Sequence, residues 1–183
     1  MWKSLLLLVL AACSPADQES VRTVAAIEVT LRTDADRMDL LRILSRHAAA
    51  SGLHVDDVSD DWRRFEQQAK QLAPEDRGTF YVGVWRGRND DEAEVLADDR
   101  YHPRRVWLTF PRGVEPDRSR RFREPLLAEI RRRWPDARAI PILPWGGLPH
   151  ARDLVLTGQG YRIVRSAAEA YDLPSSLPIF APE

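Results

Sequence analysis

The sequence predicts an α+β domain in which an antiparallel sheet carries its helices on one face. Three observations predict it. Strand-like alternation recurs at Val24 to Arg32, Thr79 to Arg86 and Arg104 to Phe110. Stretches with apolar residues at helical spacing lie between and after these. The composition, 44% apolar and 30% charged, is that of an ordinary globular domain, and the length suits one domain with a proper core.

In chain order, Val24 to Arg32 places Ile27, Val29 and Leu31 on one face and Glu28, Thr30 and Arg32 on the other, the pattern of a half-buried strand. Thr33 to Asp36 then supplies a cap and acidic residues for the first turn of a helix that runs to about Ala50 and stops at Gly52. Its expected buried stripe is Met38, Leu41, Leu44 and Ala48, widened by Leu40 and Ile43. Leu53 to Val58 is short enough to be either a strand or a loop. Ser59 or Asp60 caps a second helix, Asp61 to Leu72, with Trp62, Phe65, Ala69 and Leu72 at helical spacing and Pro74 closing it.

Thr79 to Arg86 has bulk on both faces, so it is expected centrally in the sheet, with Arg104 to Phe110 as its partner strand. Gly87 to Pro103, which carries Asn89-Asp90, is expected to form a long hairpin arm between them, with Glu94 to Leu96 as an extra piece of strand. Pro116-Asp117 opens a helical region in which Phe122, Leu126, Ile130 and Trp134 recur every fourth residue. Pro125 is expected to kink it or to mark its start, because proline removes an amide donor and crowds the preceding turn. Ala139 to Leu143 is a short strand between prolines, an edge pattern. Asp153 to Leu156 and Tyr161 to Val164 flank Thr157-Gly158-Gln159-Gly160 as a hairpin, Ser166 to Tyr171 adds a helical turn, and Leu173 to Glu183 forms an extended tail. The principal elements therefore follow a ferredoxin-like β-α-β-β-α-β order with an inserted helix and a C-terminal hairpin.

Chemical motifs are scarce. Asp56, Asp57, Asp60 and Asp61 lack the alternating ligands and glycine turn of a calcium loop and are expected to cap and complement a helix start. His47, His54, His102 and His150 are scattered without a zinc-binding pair, so no metal site is expected. His150, after Trp145-Gly146-Gly147-Leu148-Pro149, lies on a loop of the kind where sites concentrate. There is no GxSxG elbow, no SxxK and no glycine-rich phosphate loop, and no cofactor is expected. Arg120, Arg121, Arg123 and Arg131 concentrate positive charge on the third helix. They are candidates for contact with an acidic partner or with lipid headgroups. Trp85 and Trp107 are candidates for an interaction surface if their sheet face is uncovered. A net charge of -1 carries no nucleic-acid footprint.

The N-terminus is the most specific feature. Lys3 precedes an apolar run, Leu5 to Leu10, too short to span a bilayer, and Leu10-Ala11-Ala12 leads into Cys13, the only cysteine. Leu10-Ala11-Ala12-Cys13 resembles the lipobox of bacterial lipoproteins. The resemblance implies that residues 1–12 are a signal peptide and that Cys13 becomes a lipidated N-terminus. Residues 13–22 are then a tether, and 23–183 one anchored domain. In that family Asp after the cysteine marks inner-membrane retention; Ser14 here implies the outer membrane, facing the periplasm. With the signal removed, the formal charge falls from -1 to -2, since Lys3 leaves with it.

The expected activity is therefore binding: an inhibitor or immunity-type protein, an accessory subunit, or an envelope assembly factor with an envelope protein as partner. The alternatives are an anchored enzyme, such as a hydrolase with a non-standard active site, and a small-ligand or lipid carrier. The enzyme predicts convergent acids and bases; the carrier predicts an apolar cavity between sheet and helices.

Overall fold

The computed structural model describes residues 19–69, 80–87, 92–99, 102 and 104–182. The lipobox-like segment Leu10 to Cys13, Pro74 and the Asn89-Asp90 pair lie outside the described residues. Within them the chain forms β1 (Thr23–Thr30), α1 (Asp34–Ala50), β2 (His54–Asp57), α2 (Ser59–Ala69), β3 (Tyr81–Arg86), β4 (Glu92–Asp98) and β5 (Arg105–Pro111). There follow α3 (Pro116–Arg133), β6 (Arg138–Ala139), β7 (Leu154–Thr157) and β8 (Gly160–Ile163), with short 3-10 turns before β7 and after β8.

Six strands form one sheet in the order β2-β3-β4-β5-β1-β6, every pairing antiparallel, and β7-β8 forms a separate two-stranded sheet. The α+β class with a predominantly antiparallel sheet stands. The expected pairing of Thr79 to Arg86 with Arg104 to Phe110 does not: β4 lies between them and bonds to both. The charged stretch after Gly87 thus contributes a full sheet strand. Its alternation is disguised by a bulge where Val84 pairs Val95 but Trp85 pairs Ala93.

On the first face, Ile27, Val29, Leu108 and Phe110 from the sheet meet Leu44 of α1 and Ile130 of α3, each almost wholly buried. Each such side chain contributes about 1.5–3 kcal/mol on burial. Thr33 and Asp36 close a capping box at the start of α1. The buried stripe of α1 is Leu40, Ile43, Leu44 and Ala48, whereas Met38 is 55% exposed. The expected stripe was therefore rotated outward at its beginning. Polar seams tie α1 to α3: Glu129 accepts from His47 Nε2 at 2.8 Å and pairs with Arg46, and Arg133 pairs with Asp39 at 2.7 Å. The α3 helix runs through Pro125, which is neither its start nor its end. Pro125 is exposed, so the carbonyl deprived of a donor lies on the hydrated side.

The helices do not all share a face. Helix α2 stacks Trp62 on Tyr81 at 4.9 Å between ring centroids, and Tyr81 alternates with Val82, a first-face core residue. The second face is covered elsewhere by the β7-β8 hairpin, which packs Tyr161 and Leu154 against Ala26, Trp107 and Ile140. Of the expected strand Ala139 to Leu143 only Arg138–Ala139 pairs, although Ile140 still donates to Ala26. Pro141 has no amide to continue the ladder. The tail is not extended. It turns back so that Phe180 bridges Ile163 and packs with Leu143 and Tyr171 in a small second core. Among the described residues no helix is long and apolar enough to cross a membrane.

Candidate functional site

Strand β1 turns Glu28 to the second face, between the core residues Ile27 and Val29. The register of β1 with β5 sets Trp107 directly opposite Glu28, and Arg105, opposite Thr30, two residues along the same face. The hairpin then lowers Tyr161 from above. Glu28 Oε1 accepts hydrogen bonds from Arg105 Nε at 3.0 Å, Arg105 Nη2 at 2.9 Å and the Tyr161 hydroxyl at 2.8 Å. Its other oxygen accepts from Trp107 Nε1 at 2.9 Å. Arg105 also donates to the Tyr161 hydroxyl and lies over that ring, 5.9 Å from its centroid.

The buried carboxylate thus has both oxygens committed to donors of the sheet and the hairpin, three on one and one on the other. Glu28, with a side chain 7% exposed, is therefore an acceptor that organises its neighbours. Burial weighs against the charge on Arg105, but the hydrogen bond and attraction to Glu28 outweigh it and raise the guanidinium above its ordinary value. Burial, and then Glu28, push the Tyr161 phenol upward, so it stays a protonated donor.

Around this network opens a cleft of about 640 Å³. Its polar wall includes Arg105, Arg138, Arg152 and His102, and Leu154 and Leu156 of the hairpin supply an apolar wall. Arg138, on β6, lies beside Tyr161 and opposes the rise of its phenol. Arg152 is 83% exposed and only 3.8 Å from Asp153, a pairing that water screens strongly. One carboxylate faces three guanidiniums, so the cleft presents donors and positive charge beside apolar surface. Such a lining suits a carboxylate or phosphate group carried on a partly apolar molecule.

The residues singled out in sequence are scattered over the domain. Trp107 belongs to the network and is only 3% exposed, so it is no free platform. Trp85 is on the same face but lies flat over Gly83, two strands from Trp107. Arg120 and Arg123 line a second cleft, also of about 640 Å³, together with Arg22 and Arg112. Arg121 and Arg131 are exposed on α3 and line neither cleft. His150 is exposed; its amide donates to the Tyr171 hydroxyl at 2.8 Å, which in turn donates to Asp153 at 2.6 Å. Its ring nitrogens hydrogen-bond neither acid nor base among the described residues. The acidic cluster is structural: Asp57 accepts from the Ser59 amide, Asp60 pairs with Arg63 and Asp61 with Arg64. No three potential metal ligands converge among the described residues.

Sequence reasoning missed Glu28, Arg105, Arg138 and Tyr161. The one available signal was bulk on both faces of β3 and β5, which marks a sheet covered on its second face. Compared with protein-family models, with curated proteins and with solved structures, the chain matches none of them.

Proposed function

We propose that the protein is a bacterial envelope lipoprotein, cut after Ala12, held in the outer membrane by lipid on Cys13, and acting in the periplasm by binding. The cleft over Glu28 is its recognition site, and an acidic segment of an envelope protein is the partner it suits. The observation that carries this reading is the saturated carboxylate. Glu28 commits its carboxylate to Arg105, Tyr161 and Trp107, which builds a donor-rich floor suited to binding an anionic group. The anchor rests on Leu10-Ala11-Ala12-Cys13 and on the short apolar run before it. The space between the sheet and helices α1 and α3 is filled by core side chains, which weighs against a carrier of small apolar ligands.

The same reading takes β4-β5-β1-β6, with α1 and α3 on one face, as a ferredoxin-like core. In it β4 fills the second-strand position, and β2-α2-β3 is an insertion that widens the sheet. That assignment implies no activity.

The test has two arms. Cells producing the full chain are fed labelled palmitate, and incorporation is expected in the wild type and absent in Cys13→Ala. Separately, a photoreactive amino acid at Leu156, on the cleft wall, is expected to capture an envelope protein in the wild type but not in the Arg138→Glu/Arg152→Glu background. Absence of palmitate from the wild type refutes the anchor. Capture that survives the charge reversal refutes the cleft as the recognition site.

A further inference from the structure

The cleft at the start of the domain lies where the chain emerges from the tether. It is lined by Arg22, Arg112, Arg120 and Arg123, with Glu19 and Asp117 the acids among its lining residues. These arginines come from three separate places, namely the segment before β1, the turn after β5 and the first turns of α3. Two of the four are engaged by one carboxylate: Glu19 lies 3.7 Å from Arg22 and accepts a hydrogen bond from Arg112. Arg120 pairs with Asp117 at 2.9 Å, three residues away on an exposed helix surface, a pairing of small energetic worth. Arg123 is half-buried and hydrogen-bonds to no acceptor among the described residues. Burial pushes its guanidinium below the ordinary arginine value, Glu124 and Glu94 oppose that, and Arg120 adds to it. The arrangement is an open cleft with an excess of forked donors, occupied in part by a carboxylate from the chain itself and by the Pro144 carbonyl, to which Arg22 also donates.

We infer that this cleft takes the phosphate of an anionic glycerophospholipid from the membrane that holds the protein. Guanidinium forks match phosphate oxygens, and α3 adds the positive end of its dipole beside them. The choice of a lipid follows from reach. Only six residue steps lead from Cys13 to Glu19, so a fully extended tether spans about 20 Å at most, and the cleft stays within that distance of the headgroups. This choice of source rests on the anchored reading above; the pocket's affinity for phosphate does not. A bound headgroup competes with Glu19 for Arg22 and Arg112 and fixes which side of the domain faces the bilayer. The Glu28 cleft then keeps one orientation relative to the membrane.

The test is native mass spectrometry of the full chain, purified from membranes in neutral detergent and titrated with short-chain phosphatidylglycerol, short-chain phosphatidylcholine and inorganic phosphate. Phosphatidylglycerol is expected to form a one-to-one adduct at concentrations about tenfold or more below those required for phosphatidylcholine. Arg120→Ala/Arg123→Ala is expected to abolish that preference, with circular dichroism and melting temperature confirming that the variant folds. Arg121→Ala/Arg131→Ala removes two exposed arginines outside the cleft and is expected to leave the preference intact. Equal adducts with both lipids overturn the proposal, as does an equal loss in the two double variants, which assigns the effect to general surface charge. Inorganic phosphate that forms the adduct and displaces phosphatidylglycerol at matching concentration assigns the cleft to a free anion and overturns the lipid. The same spectra weigh the chain: a mass without acyl groups refutes the anchored reading, whatever the adducts show.

Discussion

Replacing Glu28 is the sharpest perturbation available, because one carboxylate holds three partners from two layers. In Glu28→Leu the Trp107 indole N–H and the Tyr161 hydroxyl lose their acceptor while they remain 3% and 6% exposed. Each buried donor left unpaired costs about 1–3 kcal/mol. The Arg105 side chain is 35% exposed, so its guanidinium can turn toward water and adds little after screening. Leucine restores part of the loss by burying apolar surface, which brings the net to about 3 kcal/mol, or about 6–12 °C in melting temperature for a domain of this size. Glu28→Gln keeps one oxygen but sets an amide N–H against a donor on one side or the other, and should cost about 1–3 kcal/mol. Urea unfolding followed by far-ultraviolet circular dichroism measures both, and near-ultraviolet dichroism follows the setting of Trp107. Removing the partners with the acid, in Glu28→Leu/Arg105→Leu/Tyr161→Phe, should recover part of the loss, because apolar groups of similar shape need no acceptor. If Glu28→Leu unfolds within about 0.5 kcal/mol of the wild type, as an exposed substitution would, the network does not hold the hairpin to the sheet.

Three further outcomes follow from the packing and the charges. A Cβ at Gly83 would lie 2.1 Å from Trp85 Nε1 and 2.6 Å from Cε2, so Gly83→Ala must displace the indole. It should cost about 1–3 kcal/mol in urea unfolding, and the cost should largely vanish in the Trp85→Ala background. Glu129 is held below its ordinary value of 4.5 by Arg46 first and then His47. Its contribution is therefore fully present above about 4.5 and lost as pH falls through the lower folded value. Melting temperature should decline more steeply below pH 4.5 in the wild type than in Glu129→Gln. A matching slope in the two proteins would contradict the pairing. Burial, and then Glu28 for Tyr161 and Asp153 for Tyr171, raise both phenols above the ordinary 10.0. Stability tied to them is present below pH 10 and lost as pH rises through the folded values. Alkaline titration at 295 nm should show a late phase that shrinks in Tyr161→Phe and again in Tyr171→Phe.

How much of the fold was legible depended on whether the deciding physics was local. The Thr33 cap, the acids of α1 and the Gly158-Gln159 turn act within a few residues, and each element stands where its signal placed it. Strand order was not local. Tyr81–Arg86 and Arg105–Pro111 have the strongest β patterns and are separated by a charged stretch, which made a direct hairpin the economical reading. The Glu92–Asp98 strand that lies between them carries Glu94 at 1% exposure, pairing with Arg86, so its polar residues are buried partners and not solvent-facing ones. Charge content alone cannot separate those two cases. The first turn of α1 shows a related limit. Met38 fits the stripe as well as Leu40, Leu41 and Ile43 do, and only the position of the sheet leaves Met38 outward while Leu41 packs half-buried against the core.

The Glu28 site was illegible for a stronger reason. In the local pattern Glu28 sits on the polar face of an alternating strand, as a solvated glutamate would. Its ligands come from 77, 79 and 133 positions away, so no window of sequence contains the site. The hairpin that supplies Tyr161 was legible as a hairpin; its docking place was not, because that depends on Ala26, Trp107 and Ile140 offering an apolar seat beside the carboxylate. Bulk on the outward faces of β3 and β5 carried the information that a second layer exists. A second layer over a strand with one acid requires that acid to find donors, since a buried unpaired carboxylate is too costly to keep. A tryptophan with its indole N–H directly across the ladder, an arginine two residues along it and a tyrosine from the covering layer meet that requirement together. The site is therefore a consequence of covering the sheet. The guanidinium of Arg105 is thereby already aligned in the cleft by the structural role of Glu28.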